Sequence, residues 1–329
     1  MRFRSKPSAQ KPVRILFVTD LHGSEICFRK FLNAAPVYGA ETLIVGGDIC
    51  GKFLVPVLVD ERGRGTADLW GETFVLESEE EFARFERRVA DNGAYAVRLD
   101  QARFEELSAD PALRDQVFEE AVVERVRQWV RLAEERLASN GIKLYMTAGN
   151  DDPWEVDEVL RGAESEAIVA PDRRVVRMAD GTELLTLGYA NHTPWNCPRD
   201  KPEEELAHEI ERLVGELEDP ESAIFSLHVP PFASGLDNGP KLDETLKPAM
   251  GMMGVETVPV GSTAVREAIE RYGPRLSLHG HIHESRGVAQ IGRTIAINPG
   301  SEYGEGILRG LIVDWDRAAG SVEYQFTAG

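Results

Sequence analysis

The sequence predicts an α/β protein in which two packed β-sheets are covered by outer helices. In the first half, apolar β-like runs at residues 13–19 and 42–45 flank an amphipathic helical pattern from about residue 24 to 37. Beyond residue 150, shorter strand-like runs are interleaved with helices and end in antiparallel hairpin patterns. The chain has 329 residues, of which 42% are hydrophobic, so it is long enough to bury the core of such a fold.

The stretch between residues 52 and 140 exceeds what one β–α–β crossover requires. A hairpin is predicted over residues 53–59 and 66–76, and charged helical patterns follow at 78–92 and 111–137. We therefore predict a single domain over residues 1–329 with a mainly helical insertion at about 52–140. Because the insertion contains no histidine, we expect it to shape the rim of a site or an oligomer contact, and not to supply metal ligands.

The second half carries short predicted strands, two helices and two notable loops. One loop, at residues 230–261, is rich in Gly, Pro and Met; it either closes over a ligand, contacts a second subunit or is an ordinary mobile loop. The other, at 189–198, contains His192 and Trp195. The strands are predicted at 174–178, 183–189, 223–227, 275–278, 287–290, 294–297, 310–313 and 322–326, and the helices at 202–217 and 263–272.

Composition and charge exclude several classes of protein. Lys and Arg number 37 against 56 Asp and Glu, a net charge of −19, which argues against long nucleic acids and anionic membrane surfaces as partners. The basic amino terminus lacks an apolar segment, and the chain contains no apolar run of about 18 residues. Three widely spaced cysteines without a Cys-x-x-Cys motif favour a reducing compartment. We expect a cytoplasmic protein, with a homo-oligomer left open.

Short polar runs follow several of the predicted strands and carry the residue types of a metal site. Ligands at the carboxyl ends of neighbouring strands converge on one crevice. Asp-x-His places two side chains on the same side of an extended strand end, and a carboxylate such as Asp48 can bridge two cations about 3.5–4 Å apart. The runs are Asp20-Leu21-His22, Gly47-Asp48, Gly149-Asn150-Asp151-Asp152, His228, Gly280-His281-Ile282-His283 and Asn298-Pro299-Gly300.

Each run has an ordinary structural interpretation when it is taken alone. Asp20 and Asp48 follow strands and precede turn residues, so each is typical of an Asx cap. His228 is typical of a buried, hydrogen-bonded histidine, and the run at 298–300 of a turn. The pair His281 and His283 fits a hydrophobic core poorly, and the ordered set favours a metal site.

The motifs resemble those of the calcineurin-like metallophosphoesterase superfamily over residues 13 to about 300. The stretches DLHGS, GGDICGK, SLHVPP, SLHGHIHESRG and INPGS are similar to its Icc-related, cyclic-nucleotide phosphodiesterase-like branch. The resemblance implies a four-layer αββα sandwich of two mixed sheets and a two-metal site. One metal would take Asp20, His22, Asp48 and His283, and the other Asp48, Asn150, His228 and His281.

One position departs from the pattern of the superfamily. A histidine usually follows Gly-Asn, and here the residue is Asp151. An aspartate is ionised near neutral pH, so Asp151 is expected to be a poor general acid. Asp152 matches the acidic residue that orients the absent histidine; it either accepts hydrogen bonds behind the ligands or caps a helix starting at Pro153. His192 is a candidate proton donor or a solvated loop histidine.

The resemblance implies a phosphoesterase, more specifically a phosphodiesterase, that hydrolyses a small phosphate ester by a metal-bridging hydroxide. The implied cofactors are two divalent ions drawn from Mn, Fe, Zn or Ni, with Mg as a further candidate. Asp151, Asp152 and His192 are the candidate catalytic residues, and Asn150, Trp195 and Asn298 the candidate substrate contacts. The alternatives are a phosphomonoesterase or phosphoprotein phosphatase, and a non-catalytic regulatory protein on a decayed site.

Overall fold

The structure, a computed structural model, describes residues 12–251 and 254–329 and contains two six-stranded sheets. The helices are Glu25–Tyr38 (α1), Glu79–Asp91 (α2), Gln101–Ala109 (α3), Pro111–Leu137 (α4), Glu155–Gly162 (α5), Glu203–Val214 (α6) and Thr263–Tyr272 (α7). The strands are Val13–Val18 (β1), Thr42–Gly46 (β2), Phe53–Val59 (β3), Gly65–Leu69 (β4), Glu72–Leu76 (β5), Ala94–Leu99 (β6), Lys143–Thr147 (β7), Ile168–Val169 (β8), Arg174–Arg177 (β9), Glu183–Leu187 (β10), Ala190–Asn191 (β11), Asp200–Lys201 (β12), Ile224–Leu227 (β13), Asn238–Pro240 (β14), Met250–Gly251 (β15), Gly254–Val255 (β16), Thr257–Pro259 (β17), Leu276–Leu278 (β18), Gly287–Ile291 (β19), Thr294–Asn298 (β20), Arg309–Asp316 (β21) and Ser321–Ala328 (β22).

The first sheet has the order β22-β21-β1-β2-β7-β8. Strands β1, β2, β7 and β8 are parallel, whereas β21 and β22 are antiparallel additions. Val18 lies opposite Val45, and Gly46 lies opposite Thr147, so the three central strands end side by side. The residues that follow β1, β2 and β7 therefore emerge at one edge of the sheet.

The second sheet has the order β19-β20-β18-β13-β10-β9. Its four central strands are parallel, and β19 and β9 pair antiparallel at the two edges. Leu187 lies opposite Leu227, and Ser226 lies opposite Leu278. This register brings the residues after β13 and β18 to a common edge.

Three apolar cores separate four layers, which confirms the predicted αββα sandwich. One core lies between the sheets, where Phe17 and Ile44 pack with Leu184 and Ile224. A second joins the first sheet to α1, α4 and α5, and a third joins the other sheet to α6 and α7. Both sheets are thus buried on two faces, as their β-branched and leucine-rich strands require.

Residues 52–140 form a small four-stranded sheet of order β5-β4-β3-β6 together with α2, α3 and α4. This sheet has its own apolar core, in which Val57 packs with Phe82 and Phe85 of α2. Helix α4 also packs against α1, with the Trp129 indole stacked 4.2 Å from the Phe28 ring. The organisation of the chain as one domain with an insertion stays a prediction.

The hairpin predicted over 53–59 and 66–76 is wrong in its second half. Trp70 and Gly71 take φ values of 49° and 83°, so they form a tight turn that divides the second run into β4 and β5. A left-handed tryptophan is rare, because its Cβ clashes there, so the sequence carried no signal for this turn. Strand β6 and helix α3 were also missed in the sequence.

The expectations about the amino terminus, membrane-spanning segments and cysteines fall partly on described residues. The prediction about the amino terminus falls mostly on residues 1–11, which lie outside the described residues. Among residues 12–251 and 254–329, none of the helices combines the length and apolar character needed to cross a bilayer. Cys27, Cys50 and Cys197 are all free thiols.

Candidate metal centre

Five parallel strand ends and their following loops bring the predicted metal ligands together. Asp20 and His22 follow β1, Asp48 follows β2, and Asn150 follows β7. From the second sheet come His228 after β13 and the pair His281 and His283 after β18. The two histidines after β18 are half-buried, and each of the other five ligand candidates is at most 4% exposed.

Four of these seven residues have left-handed backbones. The φ values are 53° at Asp20, 42° at His22, 46° at Asp48 and 66° at His281. The expectation that Asp-x-His points two side chains from an extended strand is therefore wrong, because the chain turns sharply at both Asp20 and His22. Non-glycine residues adopt this conformation at a cost of about 1–3 kcal/mol each, and such strain concentrates at functional sites.

Glycines beside the ligands allow the loops to approach closely. A Cβ at Gly149 would lie 2.1 Å from Asp48 Oδ1, and one at Gly280 would lie 2.5 Å from Asp20 Oδ2. A Cβ at Gly47 would lie 2.3 Å from Nδ1 of His228. The glycine in each of these motifs thus makes room for a ligand that comes from another loop.

Acidic and histidine side chains of the described residues form three groups of three, each with its donor atoms within 4.8 Å of one another. Two groups contain only predicted ligands: Asp20, His22 and His283 in the first, and Asp48, His228 and His281 in the second. The third joins His22 and Asp48 to Asp151. In the first group, the Nε2 atoms of His22 and His283 lie 3.1 Å apart. In the second group, Nε2 of His228 lies 3.4 Å from Asp48 Oδ2. Asp48 also lies 3.8 Å from Nε2 of His22, so it stands between the two groups.

Backbone carbonyls orient two of the imidazoles. Nδ1 of His22 lies 3.3 Å from the Cys50 oxygen, and Nδ1 of His228 lies 2.9 Å from the Gly46 oxygen. We assign the ring proton to Nδ1 in both, since a carbonyl can only accept. In its neutral form, each ring then presents an unprotonated Nε2 to the cleft, which is the usual arrangement of a metal-binding histidine.

Burial and charge set the protonation states of the ligand candidates in the metal-free protein, and they differ between the histidines. Burial lowers the pKa of His22 to about 3 and that of His281 to about 4, so both rings are neutral near pH 7. Burial would raise the pKa of Asp48, but the neighbouring His228 holds it well below its usual range. Burial alone would lower the pKa of His228, yet Asp48 and Asp20 raise it to about 9.

The donor set fits a pair of divalent cations. Asn150 Oδ1 and His228 Nε2 are buried and have no hydrogen-bond partner among the described residues. Buried polar atoms without a partner are rare in folded proteins, since each costs about 1–3 kcal/mol. Both belong to predicted ligands. Carboxylates, imidazoles and one amide oxygen together suit borderline divalent ions such as Mn, Fe, Zn or Ni.

Comparison with known proteins supports the fold and identifies one relative in sequence. No protein-family model matches the chain. The uncharacterized protein MJ1162 of Methanocaldococcus jannaschii is 31% identical over 170 residues, which cover 50% of this chain and 68% of that protein. The crystal structure of TT1561 of Thermus thermophilus has a TM-score of 0.54 at 14% identity, over 95% of this chain and 98% of that chain. Another solved structure has a TM-score of 0.56 at 16% identity, with the same coverage.

These solved structures share the fold of this chain, and the ordered motifs meet at one edge of it. The 31% identity over two thirds of MJ1162 shows that this chain and MJ1162 belong to one family. The motifs of this chain resemble those of the calcineurin-like metallophosphoesterase superfamily. Within it, the motif stretches resemble the Icc-related branch. MJ1162 is uncharacterized, so this relative adds no information about activity.

Asp152 lies behind the metal-ligand candidates and points to backbone amides. Its carboxylate accepts hydrogen bonds from the N–H groups of Ile49, Cys50 and Gly149 at 3.0, 2.8 and 2.7 Å. Burial raises its pKa to about 6. The helix-cap interpretation is wrong, since α5 begins at Glu155 and no side chain caps it. We now interpret Asp152 as a positioning residue that ties the Asp48 loop to the Asn150 loop.

Asn298 also forms hydrogen bonds that hold loops of the site in place. Its amide donates to the carbonyl oxygens of Gly280 and Ile282 at 3.2 and 3.0 Å, and its Oδ1 accepts from Gly300 N–H at 2.8 Å. The residue is fully buried. A substrate contact therefore does not fit Asn298, because its hydrogen-bonding atoms already hold the loop that carries His281 and His283.

Asp200, which the sequence analysis missed, orients the metal-ligand candidate Asn150. Its Oδ1 accepts from Asn150 Nδ2 at 2.8 Å, which leaves Asn150 Oδ1 as the atom without a partner. Its Oδ2 accepts from the backbone N–H groups of Thr193 and Cys197 at 2.9 and 3.0 Å. Asp200 therefore links the backbone at Thr193 and Cys197 to the side-chain amide of Asn150.

We predict that Asp200→Ala lowers the affinity for one of two metal ions by about ten- to a hundredfold, because removal of an outer hydrogen-bond partner has this effect on metal sites. Calorimetric titration of the metal-free protein with Mn²⁺ should show one weakened and one unchanged binding event. Asp200→Asn keeps an acceptor oxygen and should lose less. Equal weakening of both events, or of neither, would contradict the assigned role of Asp200.

A cavity of about 580 Å³ opens beside the ligands. Asp48, Asn150, His281 and His283 line its floor, and His192 and Trp195 line one wall together with residues of β14 and β17. His192 is exposed, and Trp195 is 63% exposed. The loop at 230–261 therefore contributes part of the wall through these two strands.

Two further residues near the ligands were not found from the sequence. The Tyr303 ring lies 4.6 Å from the His22 ring and 5.8 Å from the His283 ring. Lys52 Nζ lies 2.5 Å from Asp151 Oδ2. Burial would lower the pKa of Lys52, but the Asp151 carboxylate raises it, so the ammonium is charged. Neither residue follows a strand end in the pattern that revealed the ligands.

The insertion supports both the loop that carries Asp20 and His22 and the loop that carries Asp48. Tyr95 of β6 accepts the Gly51 N–H at 2.8 Å, and Arg125 of α4 donates to the Gly23 oxygen at 3.0 Å. Two aspartates of the insertion form hydrogen bonds with nearby residues: Asp60 accepts from the backbone of its own turn, and Asp68 accepts from Thr73. Among the described residues, none of the grouped metal-ligand candidates comes from the insertion.

Proposed function

We propose that this protein is a dinuclear metal-dependent phosphodiesterase that hydrolyses a small phosphate ester. Asp20, His22 and His283 would hold one divalent ion, and Asn150, His228 and His281 the other, with Asp48 shared by both. The observation that carries the proposal is the two groups of donors on either side of Asp48, together with the unpartnered Asn150 Oδ1 and His228 Nε2. The candidate ions are Mn, Fe, Zn or Ni, with Mg as a further candidate.

Two divalent ions in such a site supply a nucleophile at neutral pH and absorb the charge that develops on the phosphate. The residues of the chain then have separate tasks. The neutral amide of Asn150 limits the negative charge of the ligand set, and Asp152, Asp200 and Asn298 keep the ligand loops in place. Preorganised groups of this kind act without reorganisation during the reaction.

The cavity supports a small substrate. Its volume of about 580 Å³ lies within the range of about 300–1,000 Å³ typical of sites for small molecules. The net charge of −19 disfavours a nucleic-acid polymer. We further propose a cytoplasmic location, from the three free thiols.

The test is a matrix of phosphate monoesters and diesters against Mn²⁺, Ni²⁺, Zn²⁺, Fe²⁺ and Mg²⁺, with bound metal measured in each sample. We expect two ions per chain and the fastest turnover on diesters. Preferential turnover of monoesters or phosphoproteins would replace the phosphodiesterase with a phosphatase. Two bound ions without turnover of any ester would support a non-catalytic binding protein instead.

We predict that aryl phosphodiesters are cleaved faster than alkyl ones, because Asp151 stands where the superfamily usually has a histidine. An unprotonated alkoxide leaves with difficulty, whereas general-acid catalysis contributes about 10²–10⁴-fold. Asp151→His should therefore raise the rate on alkyl esters more than the rate on aryl esters. The measurement is the alkyl-to-aryl ratio of kcat for wild type and variant, at equal metal content.

The matched control is Asp151→Asn, which removes the carboxylate without adding an imidazole and should leave the ratio near its wild-type value. The prediction fails if wild type cleaves alkyl and aryl esters equally fast with chemistry rate-limiting. It also fails if Asp151→His leaves the ratio unchanged while two metals remain bound.

A further inference from the structure

Lys52 brings a positive charge to the cavity directly beside the metal ligands. Its ammonium lies 2.5 Å from Asp151 Oδ2, with the lysine side chain 42% exposed. Lys52 and Asp151 both line the cavity whose floor contains Asp48 and Asn150. The ion pair therefore faces the space in which an anionic ligand of the metals would lie.

The backbone on both sides of this ion pair is held firmly. The Asp151 N–H donates to Asp48 Oδ1 at 3.1 Å. On the lysine side, the N–H of Cys50 donates to Asp152 at 2.8 Å, and that of Gly51 donates to the Tyr95 hydroxyl at 2.8 Å. The start of the insertion thus presents Lys52 to the site from a fixed position, and only its side chain is adjustable.

Two lysines line the described cavity, and Lys52 is the one whose ion-pair partner also lines it. Lys241 also lines it, but its ammonium pairs with Glu256 at 2.9 Å, and Glu256 is not among the lining residues. An ammonium has three N–H donors, and the contact with Asp151 accounts for one of them. Lys52 can therefore keep Asp151 as a partner and donate to a second acceptor inside the cavity.

We propose that Lys52 donates a hydrogen bond to a phosphate oxygen of the substrate and stabilises the charge that develops there. Lys52 would supply a positive charge next to Asp151, the residue that stands where the superfamily usually has a histidine. This inference rests on the proposed phosphodiesterase function and assigns one more catalytic residue to the same site. Hydrogen bonds from charged donors, in a cavity partly closed to water, stabilise such charge strongly.

Lys52 acts here as a donor that keeps its protons. Hydrolysis forms one P–O bond to the oxygen of water, which loses one proton to solvent, and breaks the P–O bond to the leaving group. The leaving oxygen takes the electron pair of the broken bond and is then protonated by solvent. The ammonium of Lys52 remains positively charged throughout, so its contribution does not depend on the leaving group.

The test compares Lys52→Met and Lys52→Arg with wild type on an aryl and an alkyl phosphodiester in the presence of Mn²⁺. We expect Lys52→Met to lose about ten- to a hundredfold in kcat/KM on both esters, the range for a hydrogen bond from a charged donor. Lys52→Arg should keep most of the activity. Lys143→Met, at the opposite end of strand β7, makes the same chemical change away from the site and is the matched control.

The double variant Lys52→Met/Asp151→Asn separates contact with substrate from simple neutralisation of Asp151. If Lys52 contacts the phosphate, the double variant should recover KM towards wild type, because the repelling carboxylate is gone, while kcat stays low. Recovery of both kcat and KM would overturn the proposal, since Lys52 would then only neutralise Asp151. Unchanged kinetics in Lys52→Met would overturn it as well.

Metal content distinguishes failure of this inference from failure of the proposed function. Wild type with two ions and measurable ester hydrolysis leaves the phosphodiesterase assignment intact, whatever the Lys52 variants do. Loss of metal in Lys52→Met would overturn the role of Lys52, because its effect would then run through the ligands. Wild type without hydrolysis of any ester would overturn both assignments.

Discussion

Asp48→Asn is expected to lose most of the bound metal and at least about a thousandfold in activity, since the metal ions supply several kcal/mol of transition-state stabilisation. Asp48 stands between the two ligand groups, 3.4 Å from His228 Nε2 and 3.8 Å from His22 Nε2. An amide has a single acceptor oxygen and no charge, so it cannot replace a carboxylate that serves two cations.

Bound metal and kcat should be measured on the same preparations, with the melting temperature as a check on folding. Asp68→Asn is the matched control. It makes the same chemical change at an exposed residue of strand β4 in the insertion, where the carboxylate accepts a hydrogen bond from Thr73. Retention of two ions per chain and near-normal turnover in Asp48→Asn would remove Asp48 from the site.

Gly149→Ala is expected to lower activity by about a hundredfold, since a misplacement of about 1 Å in a catalytic constellation has this effect. The added Cβ would lie 2.1 Å from Asp48 Oδ1 and 2.2 Å from the Asp48 nitrogen. Such contacts do not occur between real atoms, so the Asp48 loop must move. The overpacking should also cost about 1–3 kcal/mol of folding stability.

The measurements are kcat/KM, metal affinity and the free energy of unfolding. Gly162→Ala is the control, because a Cβ at this helical glycine meets nothing within 4 Å and should leave activity unaffected. If Gly149→Ala binds two ions with wild-type affinity and turns over normally, the close approach of the two loops does not determine the position of Asp48.

The ligands could be predicted from the sequence because the signals for them are local. Asp20, Asp48, Asn150 and His228 each follow a short, strongly apolar run, and all four runs are strands in the structure. Parallel strands that end in register deliver such residues to one edge. The four-layer fold followed from the same alternation of strands and helices, which is set by hydrophobic periodicity.

The residues around the ligands could not be predicted, because their roles depend on contacts distant in sequence. Asp200 meets Asn150 fifty residues away, and Lys52 meets Asp151 across the whole insertion. Asn298 was predicted from its motif to contact substrate. In the structure its amide donates instead to backbone oxygens of the loop that carries His281 and His283, a contact that the sequence did not reveal. The left-handed backbones at Asp20 and His281 are imposed by tertiary packing and have no local sequence signal.

The most direct test of the two-metal assignment is a crystal structure of the protein loaded with Mn²⁺, with anomalous diffraction measured at the manganese edge. We predict two anomalous peaks about 3.5–4 Å apart. One should lie beside Asp20, His22 and His283, the other beside Asn150, His228 and His281, with Asp48 contacting both. A single peak, or two peaks of which neither is bound by Asp48, would contradict this assignment.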